Sequence, residues 1–212
     1  MNMLALNTAE TNLEAGGAAK GVAVAVVCQN QDSSGRGRVM VSYPWHTVPH
    51  QSYWARVATP MAGKDRGMYF LPEVGDEVLV AFERGDVRFP YVIGSLWNGK
   101  EPAPEKNGDG KNDHRVIHTR KGHKLTFDDG SKGTVRLELN DGKKLEIDDD
   151  GIRLDDAGGN RLAIDTKGGS MSLSAKTRLS ISAPTIDIKA TAQATVDGGA
   201  LLVLKGNLVT IN

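Results

Sequence analysis

The sequence predicts an all-β chain in two parts, a small closed barrel followed by a long stack of short strands. Three observations carry that prediction. Residues 22–96 hold five alternating apolar runs separated by turn residues, residues 125–211 repeat an apolar pair flanking one residue, and helix-type periodicity is nearly absent.

In chain order, residues 1–18 read as a flexible N-terminal arm or adaptor, leading into the small-residue run AGGAA at 15–19. A barrel is expected over 19–98, with strands at 22–27, 38–43, 53–58, 77–82 and 91–96. Turn chemistry falls between them: DSSG at 32–35, VGD at 74–76 and RGD at 84–86. Five strands in about eighty residues suit a closed barrel of the OB type, because closure removes the edges. The pattern alone also fits an SH3-like barrel. Pro72, Gly75 and Asp76 are expected to shape the turn into the fourth strand, and Gly85 with Asp86 the hairpin into the fifth. Trp54, Phe82 and Trp97 are expected in the barrel core or against a neighbouring chain, and Cys28 as a buried strand thiol.

A linker is expected at 99–114, opening with GKEPAPEKNGDG, and a strand stack at 115–212. The apolar pairs are Leu125/Phe127, Leu137/Leu139, Leu145/Ile147, Ile152/Leu154, Leu162/Ile164, Met171/Leu173, Leu179/Ile181, Ile186/Ile188, Ala194/Val196, Leu202/Leu204 and Val209/Ile211. Period-two alternation puts both members of a pair on one face and the residue between them, nearly always polar, on the other. At roughly 25 cal/mol per Å², one pair cannot offset the ordering entropy of its repeat unless other strands face it. The simplest closure is symmetric: an intertwined trimeric β-helix, a triangular β-prism with layers about 4.8 Å apart. An ordinary meander, a sandwich or a single-chain solenoid also fits the rhythm. Short strands, and the absence of Trp or Tyr after Trp97, argue against a sandwich.

Composition narrows the function classes. With 39% hydrophobic and 25% charged residues, the 212-residue chain should be folded and soluble. Lys and Arg balance Asp and Glu at 26 each, which gives no electrostatic footprint for nucleic acid. One cysteine permits no internal disulfide framework, and neither a secretory leader nor a membrane-spanning run is evident. Synthesis in the cytoplasm without stable membrane insertion is expected.

The segment YFLPEVGDEVLVAFERGDVRFPYVIGSLWNG at 69–99 resembles the signature of the phage baseplate assembly protein V family and of the spike part of VgrG proteins. GRGRVMVSYPW at 35–45 and WARVATP at 54–60 stand where that family has its glycine-rich turn, second strand and tryptophan-bearing third strand. The resemblance covers about residues 18–100. It implies a homotrimeric central spike of a contractile injection system: a phage tail, a tailocin, a type VI or an extracellular machine. In such a spike a separate hub protein sits at the OB end, a PAAR-type tip protein caps the other end, and effector cargo can travel with it. The particle is assembled into a baseplate and expelled on contraction. With only about twenty residues before Gly21, docking onto a separately encoded hub is expected in place of the fused hub of VgrG proteins, and 99–112 is too short for the lysozyme domain of some phage spikes. Some short relatives end in a His-x-His iron tip, whereas no histidine follows His123 here. Leu208, Val209, Thr210, Ile211 and Asn212 remain in strand rhythm and are expected to meet a separate tip.

Candidate chemistry is thin. His46 and His50, and the scattered His114, His118 and His123, lack the spacing of a metal site. Asp128/Asp129, Asp148/Asp149/Asp150 and Asp155/Asp156 recur beside glycines, which favours corners over acid/base pairs or calcium ligands. No Gly-x-Ser-x-Gly, phosphate loop or Cys-His pair occurs, so no catalytic residue and no cofactor are expected. The rival to a spike is a trimeric β-helical fibre or binding module that recognises a surface ligand. It would need an exposed aromatic or polar site beyond Asp150, where the chain has no aromatic residue.

Overall fold

A computed structural model describes residues 21–45 and 51–211. The expectations placed on 1–18, His46, His50 and Asn212 lie outside the described residues. The chain divides into two compact units, Met1–Gly108 and Asp109–Asn212.

The first unit contains β1 (Val22–Gln29), β2 (Arg38–Ser42), β3 (Ala55–Val57), a two-rung hairpin of β4 (Ala62–Gly63) and β5 (Arg66–Gly67), then β6 (Glu77–Phe82) and β7 (Pro90–Leu96). The barrel closes in the order β1-β2-β3-β7-β6, with β3 and β7 parallel and the other neighbours antiparallel. It is a five-stranded, OB-like barrel. Alternation drives closure: Ala25, Val27, Val39, Val41, Ala55, Val78, Val80 and Val92 all point inward and are essentially inaccessible. Each buried valine contributes roughly 1.5–3 kcal/mol. Tyr43 plugs one end of this core, with the rings of Trp45 at 5.1 Å and Phe82 at 6.0 Å.

Two strand limits differ from the sequence pattern for local reasons. β1 runs on to Gln29 because Val27 donates to the Asp76 carbonyl at 2.9 Å and accepts from Gly75 N–H at 2.9 Å, with a bulge just beyond. β3 is shorter because Ser52 takes over the neighbouring ladder position, donating N–H to Val41 O at 2.8 Å while its hydroxyl accepts from Val41 N–H at 3.0 Å. Cys28 sits in β1, half-buried, and burial pushes its thiol pKa up.

The second unit carries β8 (His114–His118), β9 (Lys124–Asp128), β10 (Thr134–Glu138), β11 (Lys144–Asp148), β12 (Gly151–Asp155), β13 (Arg161–Asp165) and β14 (Ser170–Ser174). All neighbours are antiparallel and consecutive, so this is an open seven-stranded meander within one chain. Over 114–174 the strands pair within one chain, because hairpin turns return each strand to its own predecessor. The pair Leu137/Leu139 shifts. Leu139 N–H bonds Lys143 O at 2.8 Å to close a hairpin, and Val135/Leu137 is the pair inside β10. From 175 to 211 no strand forms among the described residues, although the apolar rhythm continues.

Candidate functional site

Register aligns the apolar pairs into two rows on one face of the meander. Ile117, Leu125, Leu137, Leu145, Leu154, Leu162 and Leu173 stand opposite one another from strand to strand. Beside them run Phe127, Val135, Ile147, Ile152, Ile164 and Met171, with Arg115 at the β8 end. Six strand spacings make a strip about 29 Å long and two side chains wide. Its residues are half-buried or exposed, with Ile147 at 44% and Leu154 at 51%.

The other face is better covered despite being polar. Arg136, Glu146 and Arg153 lie directly opposite one another on adjacent strands. Glu146 accepts from Arg136 Nε at 2.7 Å and from Arg153 Nη2 at 2.9 Å, and Arg153 also pairs with Asp148. Alternating signs across strands stabilise such a row. The Glu146 and Asp148 side chains are only 12% and 8% exposed. For both, burial raises the carboxyl pKa, but hydrogen bonds led by Arg153 outweigh it and the net shift is downward. The sheet therefore shelters Glu146 and Asp148 while Leu137, Leu154 and Leu173 on the opposite face stay exposed, the reverse of the usual burial preference.

The acidic clusters are corner devices. Asp128 accepts from Gly130 N–H at 2.9 Å, Asp148 from Asp150 N–H at 2.9 Å, Asp155 from Ala157 N–H at 2.8 Å and Asp165 from Gly168 N–H at 2.8 Å. Each terminates a strand and shapes the turn that follows, as aspartate does in Asx-turns. Asp150 bridges corner loops through Lys167 and Lys132, which hold its pKa down to about 2. Gly151 is the tightest point: its φ is +152°, and a Cβ there would stand 1.8 Å from Ile164 O. Among the described residues no three His, Cys, Asp or Glu side chains come together to hold a metal.

In the barrel, the motif residues are structural in position. Pro72 is buried and its carbonyl accepts from Asn30 Nδ2 at 3.1 Å. Asp76 accepts from Glu73 N–H at 2.8 Å, closing a turn in which Gly75 has φ +103°. Gly85 (φ +82°) ends a 3₁₀ turn over Glu83–Gly85, and Asp86 pairs with Arg88 Nη2 at 2.6 Å. Phe82 packs against the core, whereas Trp54 lies outside it, half-buried with Arg38 Cζ 5.6 Å from its ring. Trp97 is 70% exposed and thus no part of the core of a single barrel. Arg38 is tied to Asp32 at 2.8 Å and Arg88 to Asp86 at 2.6 Å.

Residues 23–97 match the family of type VI secretion system/phage-baseplate injector OB domains. The barrel is related to that domain. The domain is structural rather than catalytic. The chain resembles the type VI secretion system spike protein VgrG1a of Pseudomonas aeruginosa, 35% identical over 72 residues, 32% of this chain and 11% of the relative. VgrG3 of Vibrio cholerae is 38% identical over 72 residues, 32% of this chain and 7% of the relative. VgrG5 of Pseudomonas aeruginosa is 33% identical over 114 residues, 52% of this chain and 14% of the relative. That last stretch is longer than residues 1–97 and so reaches past Trp97. The chain spans about a tenth of the length of the spike proteins it matches.

Two features escape sequence reading. The β4–β5 hairpin and the segment after it frame a groove of about 470 Å³ bearing Met61, Met68, Tyr69 and Phe70. Strands of two residues carry no alternation to detect. The end of the ladder at Ser174 did have a signal: no glycine occurs between Gly169 and Gly198, so tight-turn chemistry vanishes there.

Proposed function

We propose that the chain is a structural central spike protein of a contractile injection machine, joining a baseplate hub to a tip and piercing the target envelope. Three copies would set their apolar sheet faces against one another as a trimeric β-helical shaft. Residues 1–18 act as an arm, 19–98 as the OB barrel, 99–114 as a linker and 115–212 as the shaft. A separate hub binds at the barrel end. A PAAR-type tip binds at Leu208, Val209, Thr210, Ile211 and Asn212, and effector cargo can accompany the tip. Trp97 fits a contact between barrels, and Trp54, Pro72, Gly75, Asp76, Phe82, Gly85 and Asp86 shape the barrel. The protein is made in the cytoplasm, built into a virion or injection particle and expelled on contraction. Its role is force transmission, without catalysis or a cofactor.

One observation supports this reading above the rest: a barrel related to injector OB domains is followed by a sheet whose apolar face is uncovered along its whole length. No helix among the described residues is long and apolar enough to cross a membrane. Titrating the full chain with a PAAR-type cone protein in a calorimeter tests the assignment. One cone should bind per three chains, and binding should vanish when 208–212 are removed. Absence of binding, or binding indifferent to that removal, would overturn the tip assignment.

A further inference from the structure

We infer that the groove beside the β4–β5 hairpin is a docking site for the chain's own N-terminal stretch, which lays residues 4–14 between that hairpin and the turn ahead of β2. The inference concerns the barrel and its arm, and it stands apart from the spike reading.

The groove has two defined walls. One is the turn Gly35, Arg36 and Gly37, and the other is the hairpin with the segment that follows it. Met68 N–H bonds Met61 O at 3.0 Å, and Thr59 Oγ1 donates to Met68 O at 2.7 Å, which pins the second wall to the chain leaving β3. Gly67 has φ +152°, and a Cβ there would stand 2.7 Å from Met61 O, so the hairpin closes with glycine at that position. Tyr69 reaches the first wall: its Cε2 lies 3.4 Å from where a Cβ on Gly37 would stand.

Two properties of the lining describe the occupant. Met61, Met68, Tyr69 and Phe70 are between 44% and 76% exposed, a concentration of apolar surface that marks an interaction site. The second property is charge. Arg36 and Arg66 form no ion pair with a described residue, whereas Arg38 is held by Asp32 and Arg88 by Asp86. The two arginines outweigh Asp65 in the same lining. The occupant is therefore apolar and acidic.

Residues 1–14 match on both counts. Their large apolar side chains are Met1, Met3, Leu4, Leu6 and Leu13, and their only charged side chains are Glu10 and Glu14. Reach agrees. The groove lies at the Gln29 end of β1, because Gly37 leads into β2 and Met40 stands beside Gln29. The eight residues of β1 rise about 26 Å. Residues 14–20 span at most about 25 Å, so Glu14 arrives at the groove and residues 4–13 follow into it. Tethering raises the effective concentration to roughly millimolar, which makes a modest contact sufficient. A second copy docking through this same groove would instead set arginine against arginine.

Photo-cross-linking on the full chain, with Leu6 replaced by benzoylphenylalanine, tests the inference. Mass spectrometry should place the cross-link in 59–71, and mixing with a heavy-nitrogen-labelled protein should leave each product within one chain. Arg36→Glu with Arg66→Glu should cut the yield about 10-fold, and adding Glu10→Lys with Glu14→Lys should restore it. Cross-links elsewhere on the barrel or on the sheet, cross-links between copies, or a yield indifferent to these charges would overturn the inference. Solution mass is a separate readout, so failure here leaves the spike reading standing.

Discussion

The two units bury their hydrophobic residues to opposite extents. In the barrel, alternation around a closed sheet hides Val39, Val41, Val78 and Val80 completely. In the second unit the same alternation, on an open sheet, leaves Gly151 as the only buried residue among those described. Identical local chemistry thus gives a finished core where the sheet closes on itself and an unfinished one where it does not. The barrel closes around its own core, and the sheet stays open.

The most severe way to break this contrast is a charge on the uncovered face. Ile147→Asp should leave the barrel folded but reduce the protein to single chains, because a carboxylate buried at every copy costs roughly several kcal/mol per chain. Sedimentation would show the loss. The three tryptophans, Trp45, Trp54 and Trp97, all lie in the first unit, so the fluorescence of Trp45 and Trp54 reports the barrel and that of Trp97 the contact between barrels. An associated Ile147→Asp protein would mean that this face is not the interface.

Gly151→Ala acts on the sheet from within. A Cβ 1.8 Å from Ile164 O cannot be accommodated without moving the β12–β13 pair. A loss on the order of 3–5 kcal/mol is expected for the second unit, seen in far-ultraviolet dichroism with barrel fluorescence unchanged. Val80→Ala is the reciprocal change, a cavity in the barrel costing about 2–3 kcal/mol in the fluorescence transition and leaving the associated mass intact.

Acid should separate the units more gently. Carboxylates with lowered pKa values are concentrated in the sheet at Asp141, Glu146, Asp148, Asp150, Asp155 and Asp156, against Asp32 and Asp86 in the barrel. A depressed pKa contributes stability that is complete above the unfolded value, about 3.9 for aspartate, and is lost as pH falls through the folded value. For Asp150 and Asp156 the folded value is about 2, which sets the window between roughly pH 4 and 2. The dichroism of the sheet should decline across that window ahead of barrel fluorescence.

The barrel was legible because its turns carry their own chemistry: Gly75 and Asp76, or Gly85 and Asp86, announce strand limits whatever the tertiary context. The apolar rows were legible for the same reason, with Leu145/Ile147 and Ile152/Leu154 marking one face. What period-two alternation cannot encode is the source of the neighbouring strand. A meander and an inter-chain stack share the same beat, and only hairpin residues such as Gly142 and Gly159 distinguish them. Trp97 illustrates the same limit: its apolar ring predicts burial, but not whether its own barrel provides it.

Solution mass by light scattering tests the central claim most directly, that the second unit is completed by copies of itself. A stable species at three times the 22.7 kDa chain mass, persisting on dilution, is the predicted result. A folded monomer with an intact seven-stranded sheet would contradict it.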